Sequence, residues 1–262
     1  MEERASHTYT GERDTHLILD IRDLVKVREQ GGVVFELKVP LFRVRRGQFC
    51  GIVGESGCGK STLLDMLALV LRPTYCVGFD LIVPHAGDSI RAIDVNTLWE
   101  RDDEAALAKI RRNYLGYVLQ SGGLLPFLTV YENIRLPLRL KKGAQKNVVI
   151  EKLALRMGVN GLFGKKPHYL SGGQRQRIAI MRAMVHQPMI ILADEPTAAV
   201  DSERAKAIID DFHMLAKEYG TSIVVVTHNH RLIESVADRL YTYELSEISQ
   251  TVTRSVCAPM NG

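Results

Sequence analysis

Gly54-Glu55-Ser56-Gly57-Cys58-Gly59-Lys60-Ser61 sets glycines, a lysine and a hydroxyl at the spacing G-x-x-x-x-G-K-[ST], a pattern suited to holding phosphate. Glycines let the backbone curl around an anion with its N–H groups inward, at dihedral angles and distances that a Cβ would obstruct. Lys60 is placed to reach the outer phosphates of a nucleotide, and Ser61 to offer its hydroxyl to Mg2+. A second constellation, Asp194-Glu195, ends the apolar run Met189 to Ala193, so two carboxylates meet the edge of a sheet where ligands of open α/β folds bind. There Asp194 would hold Mg2+, through water, and Glu195 would polarise an attacking water as general base. An acidic strand-to-helix turn is the alternative reading of that pair. In a third, Leu170-Ser171-Gly172-Gly173-Gln174, Ser171 and Gln174 have capping-box spacing, and the helix they open presents a positive end, glycine N–H groups and a hydroxyl to an anion. Taken alone, it is equally a well-capped helix.

The elements that must position these groups alternate along the chain. Phe49 to Val53, Met189 to Ala193 and Ser222 to Val226 are continuous apolar runs of strand length, as expected for strands covered on both faces of a parallel sheet. Ser202 to Tyr219 puts Ala205, Ile208, Ile209, Phe212 and Leu215 on one helical face and stops at Gly220. Leu17 to Val27 and Val33 to Val39 predict shorter strands of an antiparallel sheet flanking the main one. From about Gly122 to Gly164 strand signals vanish, and Val149, Ile150, Leu153 and Met157 mark an amphipathic helix. The expected organisation is a flexible stretch over 1–15, one nucleotide-binding domain over 16–247 with a helical subdomain at about 122–187, and a loose tail over 248–262.

Composition excludes several classes. At 46% hydrophobic and 24% charged over 262 residues, the chain is an ordinary globular protein with room for a large core. Its formal charge of +4 is mild, and lysine and arginine are spread along the chain rather than gathered into runs. Cys50, Cys58, Cys76 and Cys257 show no CxxC spacing, which favours a reducing compartment. The polar N-terminus lacks the apolar region of a secretory signal. Apolar stretches such as Leu63 to Leu71, interrupted by Asp65, fall short of the roughly 20 residues needed to cross a bilayer. Any membrane span must then come from another chain.

Leu170 to Gln174, followed by Arg175-Gln176-Arg177, resembles the signature sequence of the ABC (ATP-binding cassette) superfamily, and the resemblance extends from about residue 16 to 247. Tyr117-Val118-Leu119-Gln120 resembles that family's Q-loop, which implies that Gln120 senses Mg2+ and the γ-phosphate. Ala199-Val200-Asp201 resembles the D-loop, with Asp201 turned towards a partner subunit, and Val226-Thr227-His228 resembles the switch histidine, with His228 on the γ-phosphate. The resemblance implies an α/β fold of the P-loop NTPase, RecA-like kind: a mostly parallel core, an antiparallel β subdomain and an inserted helical subdomain. It also implies a homodimer or heterodimer of ATPase subunits with two ATP molecules sandwiched head to tail. Each would be held by Gly54 to Thr62, Gln120, Asp194, Glu195 and His228 of one chain and by the signature of the other, Ser171, Gly173 and Gln174. The family usually stacks adenine on an aromatic residue near the end of the first strand. Leu24-Val25-Lys26-Val27-Arg28 has none, which leaves Arg28, by stacking its guanidinium, or Val27, by packing.

Ser121-Gly122-Gly123-Leu124-Leu125-Pro126-Phe127-Leu128-Thr129-Val130, then Tyr131-Glu132-Asn133-Ile134, resembles the stand-alone ATPases of bacterial lipoprotein-release, macrolide-export and cell-division systems. This implies a cytoplasmic ATPase held on the inner face of the cell membrane by an integral, permease-like partner. Leu124 to Val130 would receive a coupling helix of that partner or pack within the helical subdomain. Importer ATPases are closely similar and remain an alternative. Soluble members that act on nucleic acid or ribosomes are another, although one phosphate loop, no sustained heptads and no CxxC pair speak against them, and no nucleic-acid partner is expected. A purely regulatory ATP-binding module conflicts with the set Lys60, Asp194, Glu195 and His228. Cys58 is either a redox-sensitive thiol or a small side chain filling space.

Overall fold

Gly31 and Gly32, with φ of 60° and 80°, supply the two positive dihedrals of a two-residue primed turn. The chain therefore folds back sharply, and β1 (Leu17–Gln30) pairs antiparallel with β2 (Val33–Arg45). Both strands run beyond their apolar centres because the tight turn keeps the ladder in register to its end, Gln30 opposite Val33. The computed structural model describes residues 16–85, 89–140, 146–198 and 200–260, and of 146–149 the backbone alone. The expectation of a flexible 1–15 lies outside the described residues.

β3 (Phe49–Val53) leads through the phosphate loop into α1 (Lys60–Leu67). β4 (Tyr75–Pro84) and β5 (Ile90–Asp94) then extend the antiparallel ladder from β1. Short α2 (Val95–Glu100) and α3 (Glu104–Tyr114) are each capped by an aspartate, Asp94 and Asp103, and lead to β6 (Leu115–Val118). Next come α4 (Val130–Leu140), α5 (Lys146–Arg156) and α6 (Gly172–Met184). The chain then returns through β7 (Ile190–Asp194), α7 (Ser202–Tyr219), β8 (Ser222–Thr227), α8 (His230–Glu234), β9 (Arg239–Ser249) and β10 (Val252–Pro259).

All ten strands form one sheet in the order β5-β4-β1-β2-β10-β9-β3-β8-β7-β6. From β9 to β6 the pairing is parallel. The antiparallel strands are thus continuous with the parallel core rather than a separate flanking sheet. Strand alternation divides the core in two: on β8, Val224 and Val226 face the cluster containing α1, while Ile223 and Val225 face the cluster containing α6 and α7. Covered on both faces, these strands read as unbroken apolar runs.

Between Val118 and Ile190 the described residues form helices, two short 3₁₀ turns and loops. Ile150, Leu153 and Met157 are buried there, as their helical spacing predicts, while the side chain of Val149 lies outside the described set. Asn133 is completely buried and anchors the loop ahead of α4. Its Oδ1 accepts from Leu125 N at 2.8 Å, and its amide donates to the carbonyls of Leu125, Leu128 and Thr129 at 3.1, 3.3 and 3.0 Å.

The loose tail expected over 248–262 is not what the structure shows: β10 runs inside the sheet, between β2 and β9. Its inward positions are Ser255 and Cys257, both with zero exposure, so the strand carries no β-branched run at its buried positions. Ser255 belongs there because its Oγ donates to the carbonyl of Cys58, within the phosphate loop, at 2.7 Å. Ser255→Ala leaves that buried carbonyl unpaired and is expected to cost about 1–3 kcal/mol in urea unfolding. Ser246→Ala, on an exposed part of β9, is expected to stay within about 0.5 kcal/mol of the parent.

Candidate active site

β3 is buried at every position, so the loop after it starts from a fixed point. Gly57 and Gly59 take φ of 85° and 102°, which L side chains rarely adopt. A Cβ on Gly59 would also crowd Leu37 at 3.3 Å and Phe35 at 3.4 Å. Gly59 caps α1 without any side-chain hydrogen bond, so the first N–H groups of that helix are left for a ligand. Lys60 is 6% exposed, and its Nζ donates to the carbonyls of Gly54 and Glu55 at 2.9 and 2.7 Å. Glu195 Oε1 lies 3.9 Å from the same Nζ.

β7 brings both carboxylates to this edge, and parallel β8 brings His228. Asp194 ends β7, and its Oδ1 accepts from Ser61 Oγ at 3.3 Å. Burial raises the Asp194 carboxyl above its ordinary range, the charges of Glu195 and Asp65 add to the rise, and the Ser61 hydrogen bond and Lys60 oppose it. A divalent cation would relieve that cost. The hydroxyl and carboxylate are hard oxygen donors of the kind Mg2+ takes alongside phosphate and water. Among the described residues no group of three or more His, Cys, Asp or Glu forms a separate metal cluster. Glu195 follows with φ of 41°, a left-handed conformation unusual for a non-glycine residue. That turn aims Oε2 at His228 Nδ1, 2.8 Å away at the end of neighbouring β8.

A cavity of about 610 Å3 opens over these groups, lined by Ser56, Gly57, Gly59, Lys60, Ser61, Thr62 and Glu195 at one end and by Arg28, Gln30, Val33 and Phe35 at the other. Arg28 therefore reaches the cavity. Val27 is not in its lining. Phe35, an aromatic side chain outside the stretch Leu24 to Arg28, lines the same end of the cavity. The Gly31-Gly32 turn pairs Arg28 with Phe35 across the hairpin, a register legible once that turn is recognised. Glu55 is exposed and takes part through its carbonyl. Cys58 turns inward: a Cβ on Gly54 would lie 2.7 Å from its Sγ, and burial raises its thiol pKa. It fills space under the loop.

Other predicted residues lie apart. Gln120 is exposed two residues beyond Val118, which pairs with Ala193, so it shares the carboxylate edge without lining the cavity. Ser171, Gly173 and Gln174 line a different cavity of about 200 Å3, with Arg177 and Arg204. The capping box is formed: Ser171 Oγ accepts from Gln174 N at 3.2 Å and Gln174 Oε1 from Ser171 N at 3.0 Å. Asp201 caps α7, accepting from Arg204 N at 2.9 Å, and this lowers its carboxyl pKa. Ala199 lies outside the described residues.

A family model described as "ABC transporter" matches residues 37–198. The chain belongs to the ABC transporter ATP-binding family. It is 37% identical over 219 residues to an uncharacterized ABC transporter ATP-binding protein, MJ0796, of Methanocaldococcus jannaschii, covering 81% of this chain and 87% of that protein. It is 35% identical over 240 residues to the methionine import ATP-binding protein MetN 1 of Bacillus cereus, covering 90% of this chain but 65% of the longer relative. A solved dimeric structure of the MJ0796 ATP-binding cassette in a post-hydrolysis state, bound to ADP and Pi, superposes with a TM-score of 0.71 at 34% identity. It matches 86% of this chain and 94% of its own. This ABC subunit binds ATP and is an ATPase.

Base stacking on an aromatic ring is worth about 1–3 kcal/mol. Phe35→Ala is accordingly expected to raise the Kd for ATP by about tenfold in equilibrium titration, with a smaller rise for Arg28→Ala.

Proposed function

We propose that the chain is one half of a two-chain ATPase that drives a separate membrane protein, with each ATP held between the phosphate loop of one chain and the signature of the other. The observation that carries this reading is the separation of two anion-ready helix ends within one chain. α1 opens onto the cavity with Lys60, Asp194 and Glu195, whereas α6 opens onto the other cavity, at Ser171 and Gly173. Neither cavity has a complete set of groups around a triphosphate. Two chains related head to tail would supply both sets to each nucleotide.

Within one such site Lys60 exchanges its loop carbonyls for phosphate oxygens. Ser61 and Asp194 would hold Mg2+, which supplies charge neutralisation for the phosphates when bound. Phe35 and Arg28 border the base, and Gln120 joins the site as the helical subdomain moves towards the core. Glu195 accepts the proton of a water as its oxygen attacks the γ-phosphorus, the bond to the β–γ bridging oxygen breaks, and ADP and phosphate are the products. His228, 2.8 Å from Glu195, keeps that carboxylate aimed. From the opposing chain, the signature hydroxyl, glycine N–H groups and helix end meet the γ-phosphate, with Asp201 beside them. Loss of the γ-phosphate removes the charge that binds the halves, so ATP closes the dimer and hydrolysis opens it.

The stretch Leu124 to Val130 with Tyr131-Glu132-Asn133-Ile134 favours a partner of the lipoprotein-release, macrolide-export or cell-division kind, worked from the cytoplasmic side. Importer function is the second reading, supported by the 35% identity to a methionine import ATP-binding protein. Among the described residues no helix is long and apolar enough to cross a membrane, so the span is assigned to the partner.

Glu195→Gln is expected to retain ATP binding and to lower turnover by roughly 10²- to 10⁴-fold. Purified from native membranes with Mg-ATP, this form should bring down a membrane protein with few spans and a large extracytoplasmic domain. A many-span permease would shift the reading to an ordinary transporter, and ribosomes or nucleic acid would overturn it.

A further inference from the structure

Cationic residues are spread along this chain, but acidic residues are not. Residues 122–187 hold twelve lysines and arginines against two acidic side chains, Glu132 and Glu151, so this segment is strongly positive while the remainder of a +4 chain is net negative. Part of the excess is used internally. Arg177 pairs with Asp211 at 3.1 Å, Arg156 pairs with Glu218, Arg175 donates to the Leu170 carbonyl, and Arg182 donates to the carbonyls of Gly122 and Gly123.

A second group is not used this way. Arg135 lies over the ring of Tyr131 at 5.9 Å, and that ring meets Phe163 edge-on at 5.6 Å. The Phe163 strand of loop continues into Lys165, whose carbonyl accepts from Val130 N, and Lys166, so α4 and this loop form one continuous face. Arg139 lies one turn beyond Arg135 and is exposed, as are Lys165 and Lys166. Glu132 sits between them, but its Oε2 is taken up by Thr129 N and Oγ1 at 2.8 and 2.9 Å. Its carboxyl pKa is lowered chiefly by those bonds, with Arg139 and Lys166 close enough to contribute.

We propose that this face, Arg135, Arg139, Lys165 and Lys166, lies directly against the anionic headgroups of a lipid bilayer. The inference rests on the reading that the chain works at a membrane, and adds a contact that needs no protein partner. Long cationic side chains scattered over a helix and a loop fit a broad, deformable negative surface, whereas a peptide needs a slot or a sheet edge. Contact there would hold the helical subdomain against the bilayer while the sheet core turns relative to it.

The test is flotation of the purified full-length chain with vesicles of phosphatidylcholine alone and with 30% phosphatidylglycerol, across a salt series. The chain should float with the anionic vesicles only, and release as salt rises. The double variant Arg139→Glu/Lys166→Glu should lose roughly thirtyfold in vesicle affinity, at about fivefold per cation. It should keep basal ATPase activity and thermal stability, which separates a lost surface from a lost fold. Arg91→Glu, exposed on β5, should change vesicle affinity less than twofold. Equal binding to both vesicle types, no binding at low salt, or undiminished binding by the double variant would each overturn the proposal. So would displacement by poly(U) or poly-glutamate at a lower charge concentration than the lipid, which would assign the face to nucleic acid or to an acidic protein segment. A failed flotation leaves the membrane-partner reading standing, because that reading is decided by what the Glu195→Gln form brings down.

Discussion

The first turn of α1 has no side chain of its own to satisfy its N–H groups, and much of the architecture keeps that turn both rigid and open. β3 fixes its start by being buried on both faces, Gly57 and Gly59 give the loop the dihedral angles it needs, and Ser255 ties the loop from below through the Cys58 carbonyl. Rigidity matters because a loop of inward N–H groups is a stable arrangement only with an anion in it or with its shape imposed from outside. Lys60 Nζ donates to the carbonyls of Gly54 and Glu55, which holds its ammonium against the same loop.

Glu195, the carboxylate proposed as general base, is held with comparable strictness. Parallel pairing of β7 with β8 sets Asp194 beside Val226; Glu195 then leaves β7, while Thr227 still pairs with Val53 before the chain reaches His228. Glu195 accepts a left-handed φ at that exit, and His228 meets its carboxylate. A non-glycine residue in that region carries strain that the surrounding structure must offset. Here the offset comes from the adjacent buried strands and from the hydrogen bond of Glu195 N to the Val226 carbonyl at 2.9 Å.

Much of this was legible from residue types alone. The parallel strands are visible as apolar runs because both faces are covered, and α7 as a helix because Ala205, Ile208, Phe212 and Leu215 repeat with the helical period before Gly220. The phosphate loop, Asp194-Glu195 and the capped α6 are local patterns, and local patterns survive in sequence. What escaped depends on distant partners. β10 buries a serine and a cysteine, which look like tail until Cys58 is known to sit above them. Phe35 lies seven residues past the stretch where a base-stacking ring was sought, and only the hairpin register returns it to Arg28. The charge excess of the helical insert was hidden by the even spread of its lysines and arginines, since the asymmetry lies in the missing acids.

The two proposed half-sites on one chain are useful only if a second chain completes them, so on this reading nucleotide and assembly are coupled through the γ-phosphate. The most direct measurement is the mass of the Glu195→Gln form in solution by light scattering, with ATP and then with ADP. A site shared between chains predicts twice the subunit mass with ATP, a single subunit with ADP, and a return to the single subunit with ATP when Ser171→Arg is added. The same mass with both nucleotides, or a Ser171→Arg form that still doubles, would contradict it.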